Sequence, residues 1–131
     1  MESEKRKILI VDDDNFLLDM YALKFSQNSF EVHAVSGGVK SLEELKNGLK
    51  PDVILMDIIM PEMDGFETLQ KIKKENLAEN SIKIILSNKG QKEDIDRGKD
   101  LGVAGYIIKA NSTPGEVIEQ VKEILNSKTK E

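Results

Sequence analysis

The sequence predicts an α/β protein, a doubly wound parallel sheet of five strands alternating along the chain with five helices. Three observations carry that expectation. Short β-branched runs alternate with longer amphipathic ones from one end of the chain to the other. Three of the short runs are apolar almost throughout, as strands covered on both faces of a sheet must be. The length of 131 residues, 39% of them hydrophobic, is that of one domain with enough apolar side chains for a core.

The first strand is read at Lys7–Asp12 (KILIVD), and it runs into Asp13 and Asp14. A helix over Phe16–Gln27 follows, with Asp14 placed to cap it. The second strand, Glu31–Val35, holds His33 and alternates polar with apolar residues, which suits a sheet edge. Gly37 and Gly38 read as a loop before a helix over Lys40–Asn47. The third strand, Val53–Asp57 (VILMD), precedes a helix over Gly65–Asn76, whose Lys71, Lys73 and Lys74 read as a solvated face. The fourth strand is Ile82–Ser87 (IKIILS). The helix after it, Lys92–Leu101, has the thinnest apolar stripe, only Ile95 and Leu101, with Gly98 in its middle. Gly98 costs about 1 kcal/mol relative to Ala there, so this helix is expected to be the mobile one. Tyr106–Ile108 is the fifth strand. The last helix, Pro114–Asn126, has the clearest pattern: Thr113 and Glu116 form a capping box, Pro114 takes the first helical position, and Val117, Ile118, Val121, Ile124 and Leu125 make one stripe. Right-handed crossovers join the parallel strands. No repeat, linker or low-complexity stretch divides the chain. It reads as one domain over 1–131, with a core of about 6–126, a short tail 127–131 and no output domain.

Composition removes several classes of function. Acidic residues (24) outnumber Lys plus Arg (19), so the net charge of −5 offers nucleic acid or anionic lipid no general attraction. There is no Cys, which excludes disulfides, thiolate metal sites and thiol nucleophiles. One His cannot build a His-rich metal site. No apolar run approaches the roughly 20 residues needed to cross a bilayer. The expected setting is soluble and cytoplasmic, away from membranes.

Ligands of such sheets bind beyond the carboxyl ends of the strands, so the residues that end each strand matter most. Asp12, Asp13 and Asp14 end the first, Asp57 the third and Ser87 the fourth; Lys109 follows the fifth. If these ends converge, one cleft holds several carboxylates, a hydroxyl and an ammonium. Clustered carboxylates repel, and a divalent cation removes that difficulty. Oxygen ligands without His or Cys suit Mg²⁺. Singly, each residue has a plainer reading. Asp12–Asp14 make a solvated turn and a cap, Ser87 an ordinary strand-end hydroxyl, Lys109 a surface lysine and Tyr106 a half-buried edge aromatic. Asp57 resists that treatment, because an acid that ends a buried strand needs a partner.

In this order and spacing VDDD (11–14), MDIIMPEMDG (56–65), Ser87 and GYIIKA (105–110) resemble the response-regulator receiver domain, the phosphoacceptor half of two-component signalling. The resemblance covers essentially the whole chain and is nearest in kind to single-domain, chemotaxis-type receivers. It implies a flavodoxin-like sheet of order 2-1-3-4-5. It implies that Asp57 accepts a phosphoryl group from a sensor histidine kinase or a histidine phosphotransfer protein. Asp13 and Asp57 would bind Mg²⁺ through their side chains, the backbone carbonyl of Ile59 would be the third protein ligand, and Asp12 would act largely through water. Lys109 and the Ser87 hydroxyl would hold phosphoryl oxygens. Ser87 and Tyr106 would couple the site to a face made by the fourth helix, fifth strand and fifth helix, where an unknown downstream protein binds. Such a domain is a signalling phosphoacceptor with only its own phosphorylation and dephosphorylation chemistry, not an enzyme acting on other substrates.

The chain departs from the family at two positions. Asn88 stands where the family usually has Ala or Gly, and Ala110 where it usually has Pro after a cis bond. A cis bond before Ala costs about 2.5–4 kcal/mol, so the bond after Lys109 is expected to be trans. Ile59 and Lys89 flank the line along which water would reach a phosphorylated Asp57, Lys89 either pairing with the phosphoryl group or lying in solvent. Two enzyme or carrier classes fit less well. An aspartyl-phosphate hydrolase wants an acid two residues after the nucleophile, where this chain has Ile59. An FMN carrier wants a phosphate loop where Asp12–Asp14 would repel phosphate. The remaining alternative is a degenerate receiver serving as a phosphorylation-independent binding module. The complete set Asp12, Asp13, Asp57, Ser87 and Lys109 weighs against it.

Overall fold

A computed structural model describes residues 5–129. The chain alternates strictly: β1 (Arg6–Val11), α1 (Asn15–Ser26), β2 (Phe30–Val35), α2 (Gly38–Lys46), β3 (Val53–Met56), α3 (Gly65–Lys74), β4 (Ile82–Ser87), α4 (Lys92–Asp100), β5 (Gly105–Ile108) and α5 (Pro114–Thr129), with a single 3₁₀ turn, Lys109–Asn111, after β5. The five strands form one parallel sheet of order β2-β1-β3-β4-β5. The fold class, the strand order and the edge position of β2 match the expectations.

Strand alternation sorts the core into two layers. Ile8, Ile10, Val53, Leu55, Ile84 and Leu86 face α1 and α5, where Leu18, Phe25, Val117 and Val121 meet them. Leu9, Val11, Ile54, Met56 and Ile85 face the other way, against Leu42 and Leu45 of α2 and Phe66, Leu69 and Ile72 of α3. The apolar stripe read in α5 is thus the stripe that seals one layer. Thr113 and Glu116 exchange their capping-box bonds at 2.8 and 3.2 Å, and Asp14 caps α1 by accepting from Leu17 N–H at 3.1 Å.

Several boundaries differ from the sequence reading, each for a local reason. β1 and β3 end one residue early, at Val11 and Met56, because the aspartates that follow leave the ladder with their side chains turned to the cleft. Their backbones still pair: Asp12 N–H donates to Val35 O at 3.2 Å and Asp57 N–H to Val11 O at 2.9 Å. α2 starts at Gly38, not in a loop, and a Cβ there would sit 2.2 Å from Thr68 Oγ1 of α3. α3 stops at Lys74 because Asn76 turns left-handed (φ 56°), its N–H reaching Lys73 O while Leu77 N–H reaches Ile72 O. That pair of bonds is a Schellman stop with Asn in place of Gly. α5 continues to Thr129, since nothing in Ser127–Thr129 breaks a helix; the expected tail is therefore helical up to that residue, and 130–131 lie outside the described residues. No cis peptide bond occurs among the described residues, so Lys109–Ala110 is trans.

Candidate functional site: an acidic cleft at the strand ends

Because β1 and β3 are neighbours, Asp12 and Asp57 emerge side by side at the carboxyl edge of the sheet. Both are nearly closed off from solvent, Asp12 at 2% and Asp57 at 6% exposure, whereas Asp13 is exposed. Lys109 enters from the far edge, where β5 ends. Its Nζ bridges the two acids, 2.8 Å from Asp12 Oδ2 and 3.1 Å from Asp57 Oδ2. Backbone amides take the other oxygens: Asp14 N–H donates to Asp12 Oδ1 at 2.9 Å and Ile58 N–H to Asp57 Oδ1 at 2.7 Å. Gly65 makes the close fit behind this pair possible. A Cβ at that position would lie 2.1 Å from the Asp57 carbonyl oxygen, so only glycine lets the start of α3 approach. Asp64 and Glu67 cap that start reciprocally, at 2.8 and 3.1 Å, a D-x-x-E signal legible in MDGFE but not picked up in the sequence reading.

The charges follow from this geometry. Burial alone would lower the Lys109 pKa, but its hydrogen bond to Asp12 and the charges of Asp57 and Asp12 outweigh that and raise it. Lys109 is therefore firmly cationic. Burial pushes the Asp12 carboxyl up and the Asp57 charge adds to it, while the bonds from Lys109 and Asp14 N–H pull the other way. One ammonium does not fully offset the acids. The carboxylate oxygens of Asp12, Asp13 and Asp57 lie within 4.8 Å of one another, a hard-oxygen set that fits a divalent cation. Ile59, on the loop after β3, exposes 60% of its surface.

Ser87 ends β4 fully buried, at 0% exposure, with its Oγ accepting from Lys89 N–H at 3.3 Å. Tyr106 is not in the cleft. It half-buries its ring beside β4 and donates its hydroxyl to Lys89 O. Lys89 Nζ is 3.5 Å from Asp94 Oδ1, so in the unphosphorylated chain its half-exposed ammonium pairs with α4. Asp94, itself buried, accepts from Gln91 N–H at 3.0 Å and so caps α4. Ser87, Lys89, Tyr106 and the start of α4 are thus joined by two hydrogen bonds and an ion pair, in which the part of Lys89 has no signal in the sequence. His33 lies away from the cleft on β2, 2.8 Å from Glu31 Oε2.

A doubly wound sheet with paired strand-end acids bridged by a strand-end lysine defines a class of α/β domains whose chemistry sits at the carboxyl edge. The family model of the response regulator receiver domain matches residues 8–122, and the chain belongs to that family. Among relatives, it is 30% identical over 120 residues to the alkaline phosphatase synthesis transcriptional regulatory protein PhoP of Bacillus subtilis, covering 92% of this chain and 48% of PhoP. It is 32% identical over 120 residues to the transcriptional regulatory protein SrrA of Staphylococcus aureus, covering 91% of this chain and 47% of SrrA. The chain spans about half the length of these relatives. Among solved structures, a CheY-like receiver domain protein from Methanospirillum hungatei superimposes with a TM-score of 0.86 at 28% identity, covering 96% of this chain and 98% of that one. The Francisella response regulator 1452 receiver domain does so with a TM-score of 0.82 at 29% identity, covering 94% and 98%. Among the described residues no helix is long and apolar enough to cross a membrane.

Proposed function

We propose that Asp57 is the phosphoacceptor of a two-component system, taking its phosphoryl group from the phosphohistidine of a sensor kinase or a histidine phosphotransfer protein. The observation that carries this is the Lys109 ammonium spanning Asp12 and Asp57 at 2.8 and 3.1 Å, with three different strand ends contributing to one buried charge cluster. An Asp57 carboxylate oxygen attacks phosphorus as the phosphorus–nitrogen bond to imidazole breaks, and the imidazole nitrogen keeps the electron pair. Lys109 moves from the Asp57 oxygen to a phosphoryl oxygen, and the Ser87 hydroxyl donates to another. Asp13 and Asp57, with the Ile59 carbonyl, would hold Mg²⁺, and Asp12 would act through water; the cation supplies charge neutralisation of the transferring group. The readout is a protein partner docking on the face of α4, β5 and α5, reached through Lys89 and Tyr106. The intact charge set supports this reading over a phosphorylation-independent module.

The test is incubation with acetyl phosphate, with and without Mg²⁺, and mapping of the label by mass spectrometry. Label is expected at Asp57 only with the cation present, and lost in Asp57→Asn. Undiminished label without Mg²⁺, or in the variant, contradicts the reading.

A further inference from the structure

We propose that Asn88 is a positioning residue for phosphoryl transfer, its side chain tying the loop after Ser87 to the turn that aims Lys109 at Asp57. The proposal rests on Asp57 being the phosphoacceptor. The key contact is a hydrogen bond from Ala110 N–H to Asn88 Oδ1 at 2.8 Å, between residues 22 apart in sequence. Ala110 lies in the 3₁₀ turn Lys109–Asn111, and the first amides of a helical turn have no partner within it. Asn88 supplies that partner from the end of the neighbouring strand, where Ser87 pairs with Ile108. Within the turn Ser112 N–H returns to Lys109 O at 3.3 Å, and Ser112 Oγ accepts from Gln120 Nε2 of α5 at 3.0 Å. The Gln120 bond seats the turn on α5, whereas the Asn88 bond ties it to the loop that follows β4.

The lysine stem is long and flexible, so the aim of its ammonium depends on where its backbone is fixed. A single tether beside Lys109 therefore reaches the chemistry without touching it. The two residues that make the tether account for each other. A proline at 110 would have no N–H to give, and an alanine or glycine at 88 would have no oxygen to receive it. Each looks like an isolated oddity in the sequence, yet in the fold they are one device. Asn88 also lines a cleft of about 460 Å³ with Ile58, Ile59 and Gln91, next to the loop that follows Asp57. Trimming Asn88 would enlarge that cleft and loosen the lysine together; room for an incoming donor and aim of the ammonium then act on the rate in opposite directions.

Single-turnover phosphorylation by phosphoramidate with saturating Mg²⁺ separates them, using wild type, Asn88→Ala, Lys109→Ala and the double variant, each checked for cooperative melting. Asn88→Ala is expected to slow labelling about two- to tenfold, the worth of one hydrogen bond, with the half-saturating donor concentration unchanged. In the Lys109→Ala background the same change is expected to give no slowing, since nothing remains to be aimed and only the added room is left to act. Hydrogen exchange at the Ala110 amide should speed up by a similar factor. Labelling that is as fast or faster in Asn88→Ala overturns the proposal, as does an equal slowing in both backgrounds. Failure of the phosphoacceptor reading is distinguishable: wild type itself then takes no label at Asp57, whatever the Ala110 amide does.

Discussion

Lys109 and Tyr106 show how one side chain is set by several elements at once. Lys109 is held charged by two acids from two other strands, against the burial that would discharge it. Tyr106 is its counterpart outside the cleft. Burial, then the charges of Asp94 and Asp57, push its hydroxyl up to about 12 from the ordinary 10. The sign follows: below about pH 10 both folded and unfolded chains keep the proton, and this contribution to stability is fully present. As pH rises from 10 towards 12 the unfolded chain ionises first, and the contribution is lost. In an ultraviolet titration, wild type is expected to show a tyrosine ionising near 12 that is missing from Tyr106→Phe. A Tyr106 transition at the ordinary value would mean that the ring is not buried beside β4 and the neighbouring acids.

At the scale of elements, α4 is the one whose character the sequence obscures. Its apolar stripe is thin, and Gly98 alone suggests a loose helix. In the fold Gly98 is buried because the helix needs it small: a Cβ there would lie 3.1 Å from Ile85, 3.2 Å from Val103 and 3.3 Å from the Tyr106 ring. Arg97 adds a hold on α3, its guanidinium 4.5 Å from the centre of the Phe66 ring. Gly98 is thus a close-packing residue against the Tyr106 ring, not simply a weak point. Gly98→Ala is expected to destabilise by about 1 kcal/mol in chemical denaturation, overpacking outweighing the helix propensity gained. In a Tyr106→Ala background the cost should shrink, because the ring is gone. An equal cost in both backgrounds would place the strain at Ile85 and Val103 alone. The other helices and the central strands were readable because their signals are local: a capping box, an apolar stripe, a run without a charge. Packing of a glycine against a distant ring has no local signal, and neither has the meeting of Asn88 with Ala110.

Over the whole molecule the site was legible for a topological reason. In a parallel sheet every carboxyl end lies at one edge, so an acid or lysine closing an apolar run is already placed, and strand order settles only who sits beside whom. What lay beyond reach was the wiring: that Lys89 would turn to Asp94, and that its backbone would join Ser87 to Tyr106. The bonds from Ser87 to α4 would give a phosphoryl group on Asp57, carrying about −1.5 to −2 charges, a set of contacts to rearrange. Phosphorylation at Asp57 should therefore be felt at α4 through these contacts. The most direct measurement is amide chemical-shift mapping on loading with beryllofluoride and Mg²⁺. Changes are expected to run from Asp57 through Ser87 and Lys89 to Tyr106 and on into Gln91–Gly98. Changes confined to the residues around Asp57, with α4 and Tyr106 unmoved, would contradict that expectation.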